Sequence, residues 1–209
     1  MKLLLLSDEE DPLLWDYYRP GMLDDYDLIL SAGDLDPAYL SFLVTMGHAP
    51  VFYVHGNHDG RYAQFPPEGC ECIEDRVVTY RGLRILGLGG SALYNGQPHQ
   101  FTERQMQRRI RRAGRAVRKA HGVDLILTHA APAGFGDDSD YAHRGFQVFL
   151  PMIERFRPKA LIHGHVHLRF GMTRVHTFGT TTVINATKRC DLLLGESKQP
   201  CALNTIILP

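Results

Sequence analysis

Cysteine is too sparse in this chain to organise it. Cys70, Cys72, Cys190 and Cys201 are its four cysteines, and no two stand in a C-x-x-C spacing. Cys70 and Cys72 are too few for a structural zinc site unless distant residues join them, so reduced, partly buried thiols are expected. Long hydrophobic runs are missing too. A bilayer span needs about 20 apolar residues, and the run Leu3–Leu6 is short and followed at once by acids, which also argues against a secretion signal. An excess of either charge is lacking, with 23 Lys and Arg against 23 Asp and Glu, so net charge suggests neither a polyanionic nor a membrane partner. Low-complexity linkers and internal repeats are absent. The expectation is one domain over residues 1–209, soluble and cytoplasmic, with no prediction for its oligomeric state.

What is present is unevenly placed. Residues 8–36 contain ten acids and one base, Arg19, whereas residues 104–119 contain eight bases and no acid. Two solvated faces of opposite sign would account for both. Histidine is abundant at eleven residues, and five of them fall in two short stretches: His55 and His58, then His163, His165 and His167. Neutral imidazole is the commonest protein ligand for transition metals, so this clustering carries chemical information.

Short apolar runs at Leu3–Leu6, Leu28–Leu30, Val51–Val54, Leu125–Leu127 and Leu161–Ile162 have the pattern of strands buried on both faces. Each is followed by polar residues: Ser7-Asp8, Gly33-Asp34, Gly56-Asn57-His58-Asp59, Thr128-His129 and Gly164-His165. Polar residues at neighbouring strand ends are where open α/β sheets place their sites. Helices are predicted at Pro37–Met46, after the N-cap Asp36, and at Phe101–His121, where Thr102 and Gln105 make a capping box and Gly122 supplies a left-handed stop. A weaker helix is predicted at Gly145–Phe156, shortened or kinked by Pro151. Val77–Tyr80, Leu83–Leu88, Val175–Ile184 and Asn204–Leu208 read as further strands, antiparallel in the second half, so two packed sheets with helices outside are expected.

Taken singly, Asp8 or Asp34 could cap a helix, and His129 could be a hydrogen-bonded core residue. Taken together, the junctions offer carboxylates, an amide and imidazoles, the donor set of a hard-to-borderline divalent metal. Two ions about 3.5–4 Å apart need roughly seven such groups with one bridging carboxylate. Asp8, Asp34, Asn57, His129, His165 and His167 supply six.

Gly33-Asp34, Gly56-Asn57-His58-Asp59, Thr128-His129 and Gly164-His165-Val166-His167 resemble, in order and separation, the motifs of the calcineurin-like metallophosphoesterase superfamily. The resemblance runs from Asp8 to about Asn185. It implies a four-layer α/β sandwich, two packed mixed sheets flanked by helices. It also implies metal-dependent hydrolysis of a phosphomonoester or phosphodiester by a hydroxide that two divalent ions activate. By resemblance, Asp8, Asp34 and His167 hold the first ion, and Asp34, Asn57, His129 and His165 hold the second, with Asp34 bridging. His58 faces the phosphate and serves the leaving oxygen, which makes His58 and Asp34 the catalytic pair. The substrate implied is a small phosphoester, with nucleotides among the candidates.

One motif departs from the resemblance. The superfamily opens on Asp-x-His, and this chain has Asp8-Glu9-Glu10. A spacing of two along a strand leaves Asp8 and Glu10 on one side, so Glu10 is expected to replace the missing histidine as a ligand. An added carboxylate hardens the first site and favours Mn²⁺ or Mg²⁺. Mn²⁺ is the leading expectation, with Fe, Zn, Ni and Mg as alternatives.

Asn57, His143 and Arg144 are the candidate substrate contacts, Arg144 because its guanidinium can fork onto a phosphate; a helix-start role explains His143 and Arg144 equally well. Gly89-Gly90-Ser91 and Asn95-Gly96 mark a loop that can rim the cleft, with His99 on it. His55 and His163 are expected in packing, as are Trp15, Tyr17 and Tyr18. The arginines of residues 104–119 raise a nuclease as an alternative. No aromatic platform accompanies them, so nucleic acid is not the expected partner. The other alternative, prompted by Glu10, is a scaffold that keeps the fold without catalysis, as the retromer subunit of this superfamily does.

Overall fold

The computed structural model describes residues 1–195 and 205–208. Among them, fourteen strands and three α-helices follow one another in the order β1 (Lys2–Leu6), β2 (Leu28–Ser31), α1 (Pro37–Met46), β3 (Val51–Tyr53), β4 (Glu71–Cys72), β5 (Val77–Tyr80), β6 (Leu83–Leu88), β7 (Ser91–Ala92), β8 (Gln100–Phe101), α2 (Glu103–Lys119), β9 (Leu125–Thr128), α3 (Phe149–Phe156), β10 (Ala160–His163), β11 (Val175–Phe178), β12 (Thr181–Asn185), β13 (Cys190–Leu194) and β14 (Thr205–Leu208).

Two six-stranded mixed sheets form, with orders β14-β13-β1-β2-β3-β4 and β11-β12-β10-β9-β6-β5. In the first, only the β1–β13 pairing is antiparallel. In the second, β6, β9, β10 and β12 run parallel, and antiparallel pairing is confined to the edges β5 and β11. The antiparallel strands read from the sequence are found as the hairpins β5–β6 and β11–β12, the latter folded from the single run Val175–Ile184, whereas β14 pairs parallel with β13. A parallel neighbour needs a crossover of a dozen or more residues, and the stretches holding α2 and α3 supply two of them.

Strand alternation sets the layers. Leu3, Leu5, Leu28 and Leu30 of the first sheet meet Leu125, Leu127, Ile162 and Ile184 of the second in the central core. The opposite faces are covered separately. Leu4, Leu6 and Ile29 pack on Tyr39, Leu40 and Leu43 of α1. Leu86, Ile126, Leu161 and Val183 pack on Met106, Ile110 and Val117 of α2 and on Phe149, Met152 and Ile153 of α3. The result is helix, sheet, sheet, helix. Burying each of these aliphatic side chains contributes about 1.5–3 kcal/mol.

Helix ends follow their local chemistry. Asp36 caps α1 by accepting from Ala38 N–H, with Pro37 at the first helical position. The Thr102–Gln105 capping box forms at α2. Its C-terminal stop falls one residue early, on His121 (φ 59), with Gly122 continuing the turn. α3 starts only at Phe149, which puts Pro151 in the first turn, where the missing N–H has no helical partner to lose. Cys70 and Cys72 are half-buried free thiols and Cys190 a buried one; Cys201 lies outside the described residues. No helix among the described residues is long and apolar enough to cross a membrane.

Candidate metal centre

The parallel strands β1, β2, β3, β9 and β10 deliver their polar ends to one edge of the sandwich. There the backbone must turn sharply. Asp8 (φ 64), Asp34 (φ 58) and His165 (φ 67) all adopt the left-handed conformation, which costs a non-glycine residue about 1–3 kcal/mol and persists at sites the surroundings over-determine. The motif glycines are needed for space. A Cβ on Gly56 would lie 2.0 Å from Asp34 Oδ1, and one on Gly164 would lie 1.8 Å from Ser7 Oγ.

Three ligand atoms converge. The Asp34 carboxylate, His129 and His165 bring one donor atom each within 4.8 Å of one another. His129 Nε2 lies 3.3 Å from Asp34 Oδ2, 3.1 Å from His165 Nδ1 and 2.9 Å from Asn57 Oδ1. The other ring nitrogens are spoken for. His129 Nδ1 donates to the Ala32 carbonyl at 2.7 Å, and His165 Nε2 donates to the Ala142 carbonyl at 2.8 Å. Carbonyls can only accept, so these bonds keep a proton on each outward nitrogen and turn the inward nitrogens toward Asp34, where a metal could take them.

Electrostatics fit the same purpose. Burial opposes charge on Asp34, but His129 and the His58 N–H, which donates to Oδ1 at 2.7 Å, outweigh it and bring the carboxyl to about 2. Burial likewise opposes charge on His129, yet the Asp34 and Asp8 carboxylates lift it to about 9. Burial and the His129 charge bring His165 down to about 3. A proton on His129 thus balances the buried carboxylate, in a place that a divalent ion would otherwise take. The residues fit a metal.

Asp8 is held nearby, accepting the His165 N–H at 3.0 and 2.9 Å, with burial raising its pKa. The remaining expected ligands of the first ion are not gathered. β1 ends at Leu6 and Asp8 turns left-handed, so strand alternation no longer relates Asp8 to Glu10. Glu10 instead accepts the Asp36 N–H at 2.9 Å, beside the start of α1. Glu9 is the acid near an expected ligand: its Oε1 lies 2.7 Å from His167 Nδ1.

His58 is exposed, and only its backbone is tied down. The His143 ring lies 4.9 Å from that of His165 and pairs with Asp140, while Arg144 is exposed and sits over Tyr141. Two supports of the site do not emerge from the sequence reading. Asp59 Oδ2 accepts from the N–H groups of both Asp34 and Gly56 at 2.9 and 2.7 Å; its place at the end of the Gly56–Asp59 motif is the available signal. Tyr94, whose hydroxyl accepts from Asn57 Nδ2 at 3.0 Å, has no sequence signal beyond its loop.

His55, Glu74 and His99 also bring donor atoms within 4.8 Å of one another. His55 Nδ1 pairs with Glu74 at 2.5 Å, His99 stacks on His55, and buried Arg109 bonds Glu74, Asp75 and the Gly89 carbonyl. The cluster is a satisfied ionic strut under the loop that carries Asn57 and His58. His163 is buried as expected, with Nε2 unpartnered. Trp15 and Tyr18 pack on Phe42, whereas Tyr17 is exposed.

The calcineurin-like phosphoesterase family profile matches residues 11–169, which contain Asp34, Asn57, His129 and His165. The chain belongs to that family. An uncharacterized protein of Haemophilus influenzae is 25% identical over 167 residues, covering 65% of this chain and 70% of that protein. The Caenorhabditis elegans protein UPF0046 C25E10.12 is 29% identical over 147 residues, covering 67% of this chain and 48% of the other. Human metallophosphoesterase domain-containing protein 1 is 29% identical over 125 residues, covering 56% and 34%. The chain thus spans half or less of the nematode and human proteins. Among solved structures, TT1561 of Thermus thermophilus superposes with a TM-score of 0.61 over 89% of this chain and 88% of that one, at 15% identity, which shows the shared sandwich fold.

Proposed function

We propose that this calcineurin-like phosphoesterase hydrolyses a small phosphomonoester or phosphodiester with two divalent ions, Mn²⁺ foremost. The observation that carries the reading is the convergence of Asp34, His129 and His165 within 4.8 Å, with Asn57 Oδ1 beside them. Asp34, Asn57, His129 and His165 would hold one ion. Asp8, Asp34 and His167 would hold the other, with Glu9 rather than Glu10 as the acid beside it. Bound there, the ions would activate a water as nucleophile and offset charge on the phosphoryl oxygens.

The chain's own residues do the rest. Asp34 stays ionised, since its neighbours hold its carboxyl at about 2. The left-handed turns at Asp8, Asp34 and His165 hold the donors in place before substrate arrives, so little reorganisation accompanies reaction. His58, anchored through its backbone on Asp34 and exposed at the mouth, would donate a proton to the leaving oxygen. His143, turned toward His165, and Arg144 would border the substrate.

The test is hydrolysis of an aryl phosphodiester and an aryl phosphomonoester by metal-reconstituted protein. Mn²⁺-stimulated turnover that a chelator abolishes is expected. Absence of turnover with every divalent ion would overturn the reading and favour a scaffold, the alternative that the displaced Glu10 supports.

A further inference from the structure

Asn57 can bind a cation only through its amide oxygen, so which way the amide faces decides whether it is a ligand. Its Oδ1 points inward, 2.9 Å from His129 Nε2, and its Nδ2 points outward and donates to the Tyr94 hydroxyl at 3.0 Å. Tyr94 lies 37 residues further along the chain, on the loop between β7 and β8.

That loop is built to hold its shape. The side-chain oxygen of buried Gln100 accepts from the N–H groups of Tyr94, Asn95 and Gly96 at 3.2, 3.1 and 3.1 Å. Gln100 Nε2 in turn donates to Asn95 Oδ1 at 2.7 Å. β7 and β8 close the loop at its base. Gln100 therefore fixes the backbone of Tyr94, and Tyr94 fixes the plane of the Asn57 amide.

We infer that Tyr94 is a positioning residue of the metal centre, acting through Asn57. A hydroxyl can accept or donate, so Tyr94 alone would tolerate either face of the amide. A cation on the inner side removes that freedom, because only the arrangement with Oδ1 inward and Nδ2 outward satisfies both neighbours. Without the hydroxyl, Nδ2 loses its partner and the amide must be ordered by the ion alone. Groups that orient a ligand in this way affect metal affinity by about 10- to 100-fold. The inference rests on Asn57 as a ligand, as proposed above.

Tyr94→Phe tests it by removing one oxygen and keeping the ring. Mn²⁺ affinity of the metal-free protein is measured by competition with a chromophoric chelator, alongside thermal unfolding without metal. The expected result is Mn²⁺ affinity weaker by about tenfold or more, an unchanged unfolding midpoint, and an unchanged KM once metal is saturating. Unchanged Mn²⁺ affinity in the variant, beside normal binding in the wild type, overturns the role of Tyr94 and leaves the proposed function standing. A raised KM with unchanged metal affinity also overturns it, since Tyr94 would then touch substrate. Failure of the wild-type protein to bind any divalent ion overturns both readings.

Discussion

His129, at the end of β9 in one sheet, donates its Nδ1 proton to the carbonyl of Ala32, just past β2 in the other, at 2.7 Å. One bond thus ties the two sheets together and turns Nε2 toward Asp34 and Asn57. His129→Ala is expected to lower the metal content of reconstituted protein by one ion per chain, read by elemental analysis. Retention of every ion would remove His129 from the ligand set.

His58 makes its contact with Asp34 through the backbone, which leaves the ring free for substrate. His58→Ala is therefore expected to cut turnover by about 10²–10⁴-fold, the usual contribution of a placed proton donor. Metal content should stay at the wild-type value. Parallel loss of metal and turnover would show the ring to be a ligand instead.

Strand spacing puts Glu10 beside the first ion, but Glu9 is the acid that meets His167, and Glu10 meets the Asp36 N–H. Glu9→Gln is expected to weaken binding of the Mn²⁺ at Asp8 and His167 by about tenfold, the effect of losing an outer partner of a ligand. Glu10→Ala should leave that binding unchanged and cost about 0.5–1.5 kcal/mol of stability, the net value of one hydrogen bond. Calorimetric metal titration of both variants decides, and the reverse ranking would restore Glu10 as the ligand.

Arg109 separates itself from the other arginines of α2. It is buried on Glu74, Asp75 and the Gly89 carbonyl, whereas Arg108, Arg112 and Arg115 are exposed. Arg109→Leu leaves buried charge behind and should destabilise by about 3–5 kcal/mol, while Arg112→Leu should stay within about 0.5 kcal/mol. Denaturant unfolding compares the two, and equal effects would contradict the ionic strut.

Much of this molecule is legible in its sequence because local rules and tertiary needs agree. Leu3–Leu6 and Leu125–Leu127 must be buried on both faces, so they read as central strands and are. Asp36-Pro37 and Thr102–Gln105 satisfy helix-end donors within a few residues, so both helix starts can be read directly. Asp34, Asn57, His129 and His165 each follow an apolar run, and parallel strands put their ends on the same edge. Arg109 reads like its solvated neighbours, because spacing alone does not reveal a buried partner such as Glu74.

The chain by itself determined its central strands, the starts of α1 and α2 and the donor types available at the strand ends, because burial, capping and ligand chemistry act through a few adjacent residues. Tertiary structure decided what depends on direction after a strand ends. The left-handed turn at Asp8 carried Glu10 to α1 and Glu9 to His167, overriding the period-two spacing that holds only within extended chain. It also decided which distant groups meet: Ala32 with His129, and Tyr94 with Asn57. Such pairs follow from how two sheets and a loop are stacked, and no spacing between neighbours in the sequence encodes that.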